Sequence, residues 1–160
     1  MKIKNLVDNT TSFLLKRLSE LIGLALLCLS ILLLASLVSY SPEDPNFIFP
    51  ENTEIKNLLG AKGSYASDIL FQSIGLISLL VPISFFLISL SVIIDKKILH
   101  IIESLFFTIL YSITGSLFFT VFHTETYWLT INGNNGFLGN LFEETLFINL
   151  INLNHQTSYV

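Results

Sequence analysis

Residues 21–39 read LIGLALLCLSILLLASLVS and contain no charged side chain. A helix that crosses a bilayer needs about 20 predominantly apolar residues to span about 30 Å of hydrocarbon, so this stretch is long enough. Residues 69–94 and 104–122 are also free of charge. The three stretches predict an all-α fold, a polytopic transmembrane bundle with complete spans at 21–39, 69–94 and 104–122. The second would be about 39 Å long at 1.5 Å per residue, so it should tilt or extend beyond the hydrocarbon.

The composition of the whole chain agrees with a membrane protein. Hydrophobic residues make up 52% of the 160 residues and charged residues 12%, against a usual charged share of roughly 25%. Mean hydropathy is +0.71. Such a chain has too little polar surface to cover a soluble globule, so the lipid bilayer is its expected partner. The net charge of −4 does not favour nucleic-acid binding, and the single Cys28 indicates apolar packing rather than a disulfide.

The first span could instead be a cleaved signal peptide, because Lys16 and Arg17 precede it. Its apolar run is too long for the hydrophobic region of a signal peptide, and no small-x-small cleavage site follows it. We therefore interpret it as an uncleaved anchor.

The distribution of basic residues predicts the orientation, since Lys and Arg concentrate on the cytoplasmic side. Six of the eight lie before the first span or between the second and third; these are Lys2, Lys4, Lys16, Arg17, Lys96 and Lys97. We therefore expect residues 1–20 to form a cytoplasmic tail and 95–103 a cytoplasmic loop. Residues 40–68 should form an outer loop, and 123–160 an outer segment.

Small polar residues recur at every fourth position of the third span: Ser104, Thr108, Ser112, Ser116 and Thr120. Small residues let helices approach closely in lipid, so this stripe should pack on the second span near Gly75 and Ser78, with Ile77 facing lipid. The alternative is that these hydroxyls only bond their own backbone carbonyls. Pro82 lacks an N–H and predicts a kink over residues 78–82.

The loops contain turn residues without a recognisable chemical motif. The prolines of residues 39–45, SYSPEDP, indicate an extended exit from the bilayer; a plain helix stop is favoured over a partner-binding loop. Gly60 and Gly63 permit a tight turn, after which Ser64 or Ser67 would cap the second helix. No Gly-Lys-Ser/Thr follows these glycines, which excludes a phosphate loop.

The segment after the third span predicts a flexible turn over residues 132–139 and a helix over about 138–153 in the outer interface. His123 and His155 are too isolated to indicate a metal site. We therefore predict no catalytic, cofactor or metal residues. A small polytopic transporter or channel subunit is an alternative function, but no Asp, Glu, Lys, Arg or His lies within the spans. A membrane-embedded enzyme would need a catalytic constellation at membrane depth, which the chain lacks.

The order of these pieces resembles the N-terminal four-span membrane region of the FtsK/SpoIIIE DNA translocases, over essentially the whole chain. The S-Y-S-x-x-D-P stretch followed by N-x-x-G-x-x-G is fairly specific in combination. The resemblance rests on Ser39, Tyr40, Ser41, Pro42, Asp44, Pro45, Asn57, Gly60, Gly63, Asp68, Gly75, Pro82, Gly136 and Gly139.

The resemblance implies a multi-pass anchor in the bacterial inner membrane at the division septum. It would tether a cytoplasmic, hexameric, ATP-driven motor that moves chromosomal DNA, and would contact itself and other membrane proteins of the division machinery. The sequence has no Walker A loop, so we expect no enzymatic activity and no direct nucleic-acid binding from this segment. Three spans leave the end of the chain outside, so we expect a fragment whose fourth span is missing.

Cysteine labelling tests the predicted orientation. A membrane-impermeant thiol reagent added from outside should modify a cysteine placed at Asn52 and leave one at His100 unlabelled, because positive charge holds the 95–103 loop inside. The reverse pattern would refute this topology.

Overall fold

The computed structural model describes residues 2–45, 54–96, 98–122, 129 and 131–144, with side chains from Asn9 onward. It contains helices and no strand within these ranges, which confirms the all-α prediction. The elements are α1 (Lys2–Val38), α2 (Gly60–Ile74), a 3-10 helix (Gly75–Leu79), α3 (Leu80–Asp95), α4 (Leu99–Phe122) and α5 (Gly136–Phe142).

Three helical stretches are long and apolar enough to cross a membrane: Asn9–Val38, Gly60–Asp95 and Leu99–Phe122. The expected three spans are therefore found within the described residues. Their bounds differ from the sequence prediction. Helix α1 already begins at Lys2, within the predicted tail, because residues 2–22 contain neither glycine nor proline to interrupt it.

The second span is interrupted at Gly75, not at the predicted kink over residues 78–82. Gly75 has φ 69° and ψ −149°, a conformation that only glycine adopts readily. Pro82 lies in the first turn of α3, where a backbone N–H has no partner within the helix. The proline is therefore accommodated, and the glycine makes the break.

One end of the bundle, which we call the Lys96 end, is fixed by charged contacts between α1 and the residue that follows α3. The Glu20 carboxylate lies 2.8 Å from Lys96 Nζ and 2.6 Å from an Arg17 guanidinium nitrogen. Ser19 Oγ donates a hydrogen bond to the Lys96 carbonyl at 3.3 Å. Lys96 itself is left-handed, with φ 55°, and ends α3.

Helix α2 lies across the opposite end, which we call the Tyr40 end. Ser36 is about 26 Å along α1 from Ser19, and its hydroxyl donates to the Gly63 carbonyl at 2.6 Å. Helix α3 rises about 22 Å from Asp95 to Leu80. The 3-10 helix adds about 10 Å at 2.0 Å per residue, so the C-terminal end of α2 is held about 32 Å from the Lys96 end and Gly63 about 26 Å from it. We conclude that α2 turns back toward α1 instead of extending α3, so residues 60–68 are helical where an outer loop was predicted.

Close helix packing is most extensive between α1 and α3. A Cβ atom at Gly23 would lie 2.6 Å from Ile93 Cγ1 and 3.2 Å from the Ser89 carbonyl oxygen. The two backbones can approach only because position 23 carries no side chain. Ser19 and Ser30 on α1 and Ser89 on α3 are also buried.

The small polar stripe of α4 is buried at Thr108, Ser112, Ser116 and Thr120, whereas Ser104 is half-buried. The hydroxyls of Thr108, Ser112 and Thr120 donate to their own helix at 2.7–3.0 Å. Close packing and backbone bonding, weighed above as alternatives, therefore coexist. The expectation that Ile77 faces lipid is wrong, because its side chain packs against Gly115, where α4 has no side chain to exclude it.

Candidate functional site

The SYSPEDP segment folds into a turn that delivers a buried carboxylate to the loop before α2. The Asp44 N–H donates to the Ser41 carbonyl at 3.2 Å, with Pro42 at the turn position that favours its fixed φ. Asp44 is only 4% exposed. Its two oxygens accept the backbone N–H groups of Lys56 and Asn57, each at 2.8 Å. The acidic side chain therefore holds two chain segments together instead of lying in solvent.

Asn57 joins the end of α1 to the beginning of α2. Its Nδ2 donates to the carbonyls of Ser36 at 2.9 Å and Ser39 at 3.4 Å, which the last turn of a helix leaves without partners. Its Oδ1 accepts the Leu59 N–H at 3.1 Å. The Ser39 hydroxyl accepts the Leu58 N–H at 3.0 Å. Residues 36–39 and 57–59 are therefore locked side by side.

Gly60 and Gly63 have different roles, and only Gly60 lies in the expected turn. Gly60 has φ 65° and opens α2. Gly63 lies inside α2, where a Cβ atom would overlap the side chains of Asn57 and Leu59. The predicted caps are not formed: Ser64 Oγ donates to the Pro45 carbonyl at 2.8 Å, and Ser67 Oγ bonds carbonyls of its own helix.

Tyr40 connects the end of α1 to Asp68, a carboxylate that is 3% exposed. The Tyr40 hydroxyl donates to Asp68 Oδ1 at 3.2 Å, and Gln72 Nε2 lies 3.4 Å from the same oxygen. The Tyr40 ring packs on Phe71 with centroids 4.9 Å apart. Burial of the phenol, reinforced by the adjacent Asp68 charge, raises the pKa of Tyr40 to about 12.

The turn after α4 completes this set of contacts by covering the break at Gly75. Asn132 Nδ2 donates to the Gln72 carbonyl and to Gln72 Oε1, both at 3.1 Å. The Leu76 N–H donates to the Asn134 carbonyl at 2.9 Å. A side chain at Gly75 would overlap that carbonyl, and one at Gly136 would overlap the Gly75 backbone. Two glycines far apart in sequence are therefore required by the same close approach.

Helix α4 holds the other side of this turn. The Ser116 hydroxyl donates to the Asn135 carbonyl, and Asn135 Nδ2 donates to Thr120 Oγ1 at 3.2 Å and to Asn140 Oδ1 at 2.7 Å. A Cβ atom at Gly139 would lie 2.5 Å from Thr120 Oγ1. The expected flexible turn over residues 132–139 is thus a hydrogen-bonded turn followed by α5. The predicted helix over 138–153 falls mostly outside the described residues, as do His123 and His155.

These contacts form one unit, which we call the polar layer: residues 36–45, 54–60, 63–76, 116–120 and 131–140. It brings together every residue on which the family resemblance rests except Pro82, which lies further along α3 beside α1. Sequence reasoning missed Gln72, Asn132 and Asn135 as bridging residues.

The chemistry of the polar layer is structural. The oxygens of Asp44 accept backbone N–H groups, and Asp68 accepts a phenol and an amide. Among the residues that the structure describes, no three His, Cys, Asp or Glu side chains lie close enough to hold a metal ion. The arrangement can fix the helices relative to one another without supplying a nucleophile and a general base.

Membrane-crossing helices joined at one end by a buried polar layer define a polytopic membrane region, and its family can be assigned. Residues 15–153 match the family model described as the 4TM region of DNA translocase FtsK/SpoIIIE. The chain belongs to this family.

Three curated relatives are each named DNA translocase FtsK. The protein of Rickettsia bellii is 41% identical over 54 residues, which cover 34% of this chain and 7% of the relative. That of Azospirillum brasilense is 37% identical over 68 residues, or 41% of this chain and 11% of the relative. That of Agrobacterium fabrum is 25% identical over 131 residues, or 82% and 15%. The chain thus spans a small part of their length. No solved structure matches it.

Replacing Asp44 with Asn tests the central contact of the polar layer. An amide can accept only one of the two N–H groups and presents its own NH₂ to the other. We expect the free energy of unfolding in detergent to fall by about 1.5–3 kcal/mol, the range for hydrogen bonds to a charged group. The matched control is Glu43→Gln, because Glu43 is exposed and its carboxylate pairs with the exposed Lys56 side chain. Equal losses from both variants would contradict the role of Asp44.

Titration of Tyr40 gives a pH-dependent test. An unfolded tyrosine releases its proton near pH 10, whereas folded Tyr40 retains it until about pH 12. The protonated phenol therefore contributes stability that is complete below pH 10 and is lost as the pH rises to 12. We expect tyrosinate absorbance of the native protein to show a component near pH 12 that Tyr40→Phe removes. If the variant instead removes a component near pH 10, the phenol is not buried as described.

Proposed function

We propose that this chain is the membrane-anchoring region of an FtsK-type DNA translocase. It would tether a cytoplasmic, ATP-driven motor to the inner membrane at the division septum, for chromosome segregation during cell division. The observation that carries the proposal is the match of residues 15–153 to the four-span region of that family. The curated relatives are named DNA translocases, and the chain corresponds to no more than 15% of their length.

The polar layer supports an anchoring role on physical grounds. A motor that pulls DNA exerts force on its membrane anchor. Helices that associate in lipid through apolar contacts alone are held together weakly, so such a force would separate them. Here the end of α1, the break at Gly75 and the turn after α4 are tied by side chain-to-backbone hydrogen bonds. A load on one helix would therefore pass to the others.

The orientation follows from charge. With the Lys96 end in the cytoplasm, the Arg17, Lys96 and Glu20 contacts lie on the side where basic residues concentrate. The polar layer then lies at the outer face. With three crossings the segment after α4 lies outside, so a cytoplasmic motor would require a fourth crossing, in agreement with the four-span region that defines the family. We further propose that the bundle contacts itself and other membrane proteins of the division machinery.

Localisation of a fluorescent fusion tests this function. The chain, extended through the proposed fourth span and fused to a fluorescent protein, should gather at the division site of a bacterial host. The Asp44→Asn variant should gather less strongly at equal membrane abundance, with Glu43→Gln as the control. An even distribution around the membrane, while the full-length protein localises, would place targeting elsewhere.

Purified residues 1–160 should show neither ATP hydrolysis nor DNA binding; measurable ATPase activity would refute the assignment of an anchor.

A further inference from the structure

The polar layer carries exposed apolar side chains at the Tyr40 end of the bundle. Leu58 is 76% exposed, Phe137 59% and Ile69 53%. Leaving a large apolar side chain in water forgoes the favourable free energy of its burial. The Leu58 backbone is fixed by its bond to Ser39 Oγ, so this side chain cannot simply fold away. These side chains therefore present an apolar surface at the Tyr40 end of the bundle.

The depth of Leu58 can be counted along α1. The charged contacts of Glu20 with Arg17 and Lys96 mark one edge of the hydrocarbon, next to Ser19. From Ser19, about 30 Å of hydrocarbon ends near Ser39 at 1.5 Å per residue. Asn57 bonds the Ser36 carbonyl, and Leu58 bonds the Ser39 side chain. The turn is therefore beside the last turn of α1, at the hydrocarbon edge, and not above it in water.

Helix α5 lies at a similar depth, in contact with α2 and α4. Thr120 is about 32 Å along α4 from Leu99, and α5 packs on it through Gly139. Phe137 and Leu141, one helical turn apart on α5, are both exposed. The exposed face of α5 continues the apolar surface of α4, where Phe118, Val121 and Phe122 are exposed as well.

We propose that the polar layer is embedded in the lipid leaflet at the Tyr40 end, with α2 and α5 lying in the headgroup–acyl boundary and Leu58, Ile69 and Phe137 inserted among the acyl chains. These apolar side chains lie next to the lipid-facing surface of the spans. Leu58 is bonded to Ser39, next to the exposed Val38 of α1, and Phe137 lies on α5, which packs on α4 near the exposed Phe118 and Val121. Lys62, exposed on α2, has a stem long enough to reach lipid phosphates.

With α2 and α5 in the interface, helices lying in the membrane plane hold the bundle in addition to the transmembrane helices. Helices that lie in the interface bury apolar area without crossing the bilayer. They resist movement of the bundle along the membrane normal, because displacement in either direction would bring apolar side chains into water or polar backbone into hydrocarbon. The inference requires only that the chain spans a membrane, so it is independent of the proposed motor and septum.

Depth-dependent fluorescence quenching tests the embedding. Leu58→Cys, Phe137→Cys and, as control, Glu54→Cys are made in a Cys28→Ser background and labelled with an environment-sensitive fluorophore. The proteins are reconstituted in phosphatidylethanolamine–phosphatidylglycerol vesicles. Nitroxide phospholipids should quench the labels at 58 and 137 several-fold more than the label at 54. Iodide on both sides of the vesicle should show the reverse order.

Two results would overturn the proposal. If iodide reaches positions 58 and 137 as readily as position 54, the layer projects into water. If neither quencher reaches them, a protein surface covers them, and the partner is another polypeptide. Because labelling could disturb the fold, each variant is checked for an unchanged thermal transition. Ile69→Cys provides a position on α2 itself, and its label should be quenched by nitroxide phospholipids as strongly as the label at 58.

Discussion

Every backbone N–H and C=O group near hydrocarbon needs a partner within the protein, because lipid offers none. At the Tyr40 end, the last turn of α1 and the break at Gly75 both leave such groups without partners in their own helices. The amide of Asn57 satisfies the Ser36 and Ser39 carbonyls at the first. The Asn134 carbonyl and the Asn132 amide satisfy the Leu76 N–H and the Gln72 carbonyl at the second. The polar layer therefore supplies hydrogen-bond partners to the backbone groups at these two places.

That requirement explains why the residues of the layer are small or carry amides. Gly75 and Gly136 allow two backbones to meet, and Gly63 leaves room for the Asn57 side chain. Ser36 and Ser116 each reach a carbonyl on another element. A buried carboxylate such as Asp44 is tolerable only because both of its oxygens accept hydrogen bonds. The hydrogen bonds that stabilise this end of the molecule therefore depend on the close approach of its backbone segments.

The two ends of the bundle are held by different forces. Ion pairs at the Lys96 end are half-exposed and weakened by water, so they position charge more than they stabilise the fold. The Tyr40 end is held by buried hydrogen bonds and by the Leu37, Phe71 and Leu129 cluster. An anchor with one rigid end and one charge-defined end could transmit load while keeping a fixed orientation, which agrees with the proposed tethering role.

The sequence by itself determined the all-α class, the existence of three apolar spans and the family. Hydrocarbon thickness and hydrophobic length are properties of single segments and need no knowledge of neighbours. Only the tertiary structure decided that α2 lies across the Tyr40 end, that the break falls at Gly75, and that Ile77 packs on Gly115. It also decided that Asp44, Asn57, Asn132 and Asn135 act as bridges. Each of these depends on which distant backbone group a side chain meets, and such pairings between residues as far apart as Gln72 and Asn132 leave no periodic signal along the chain.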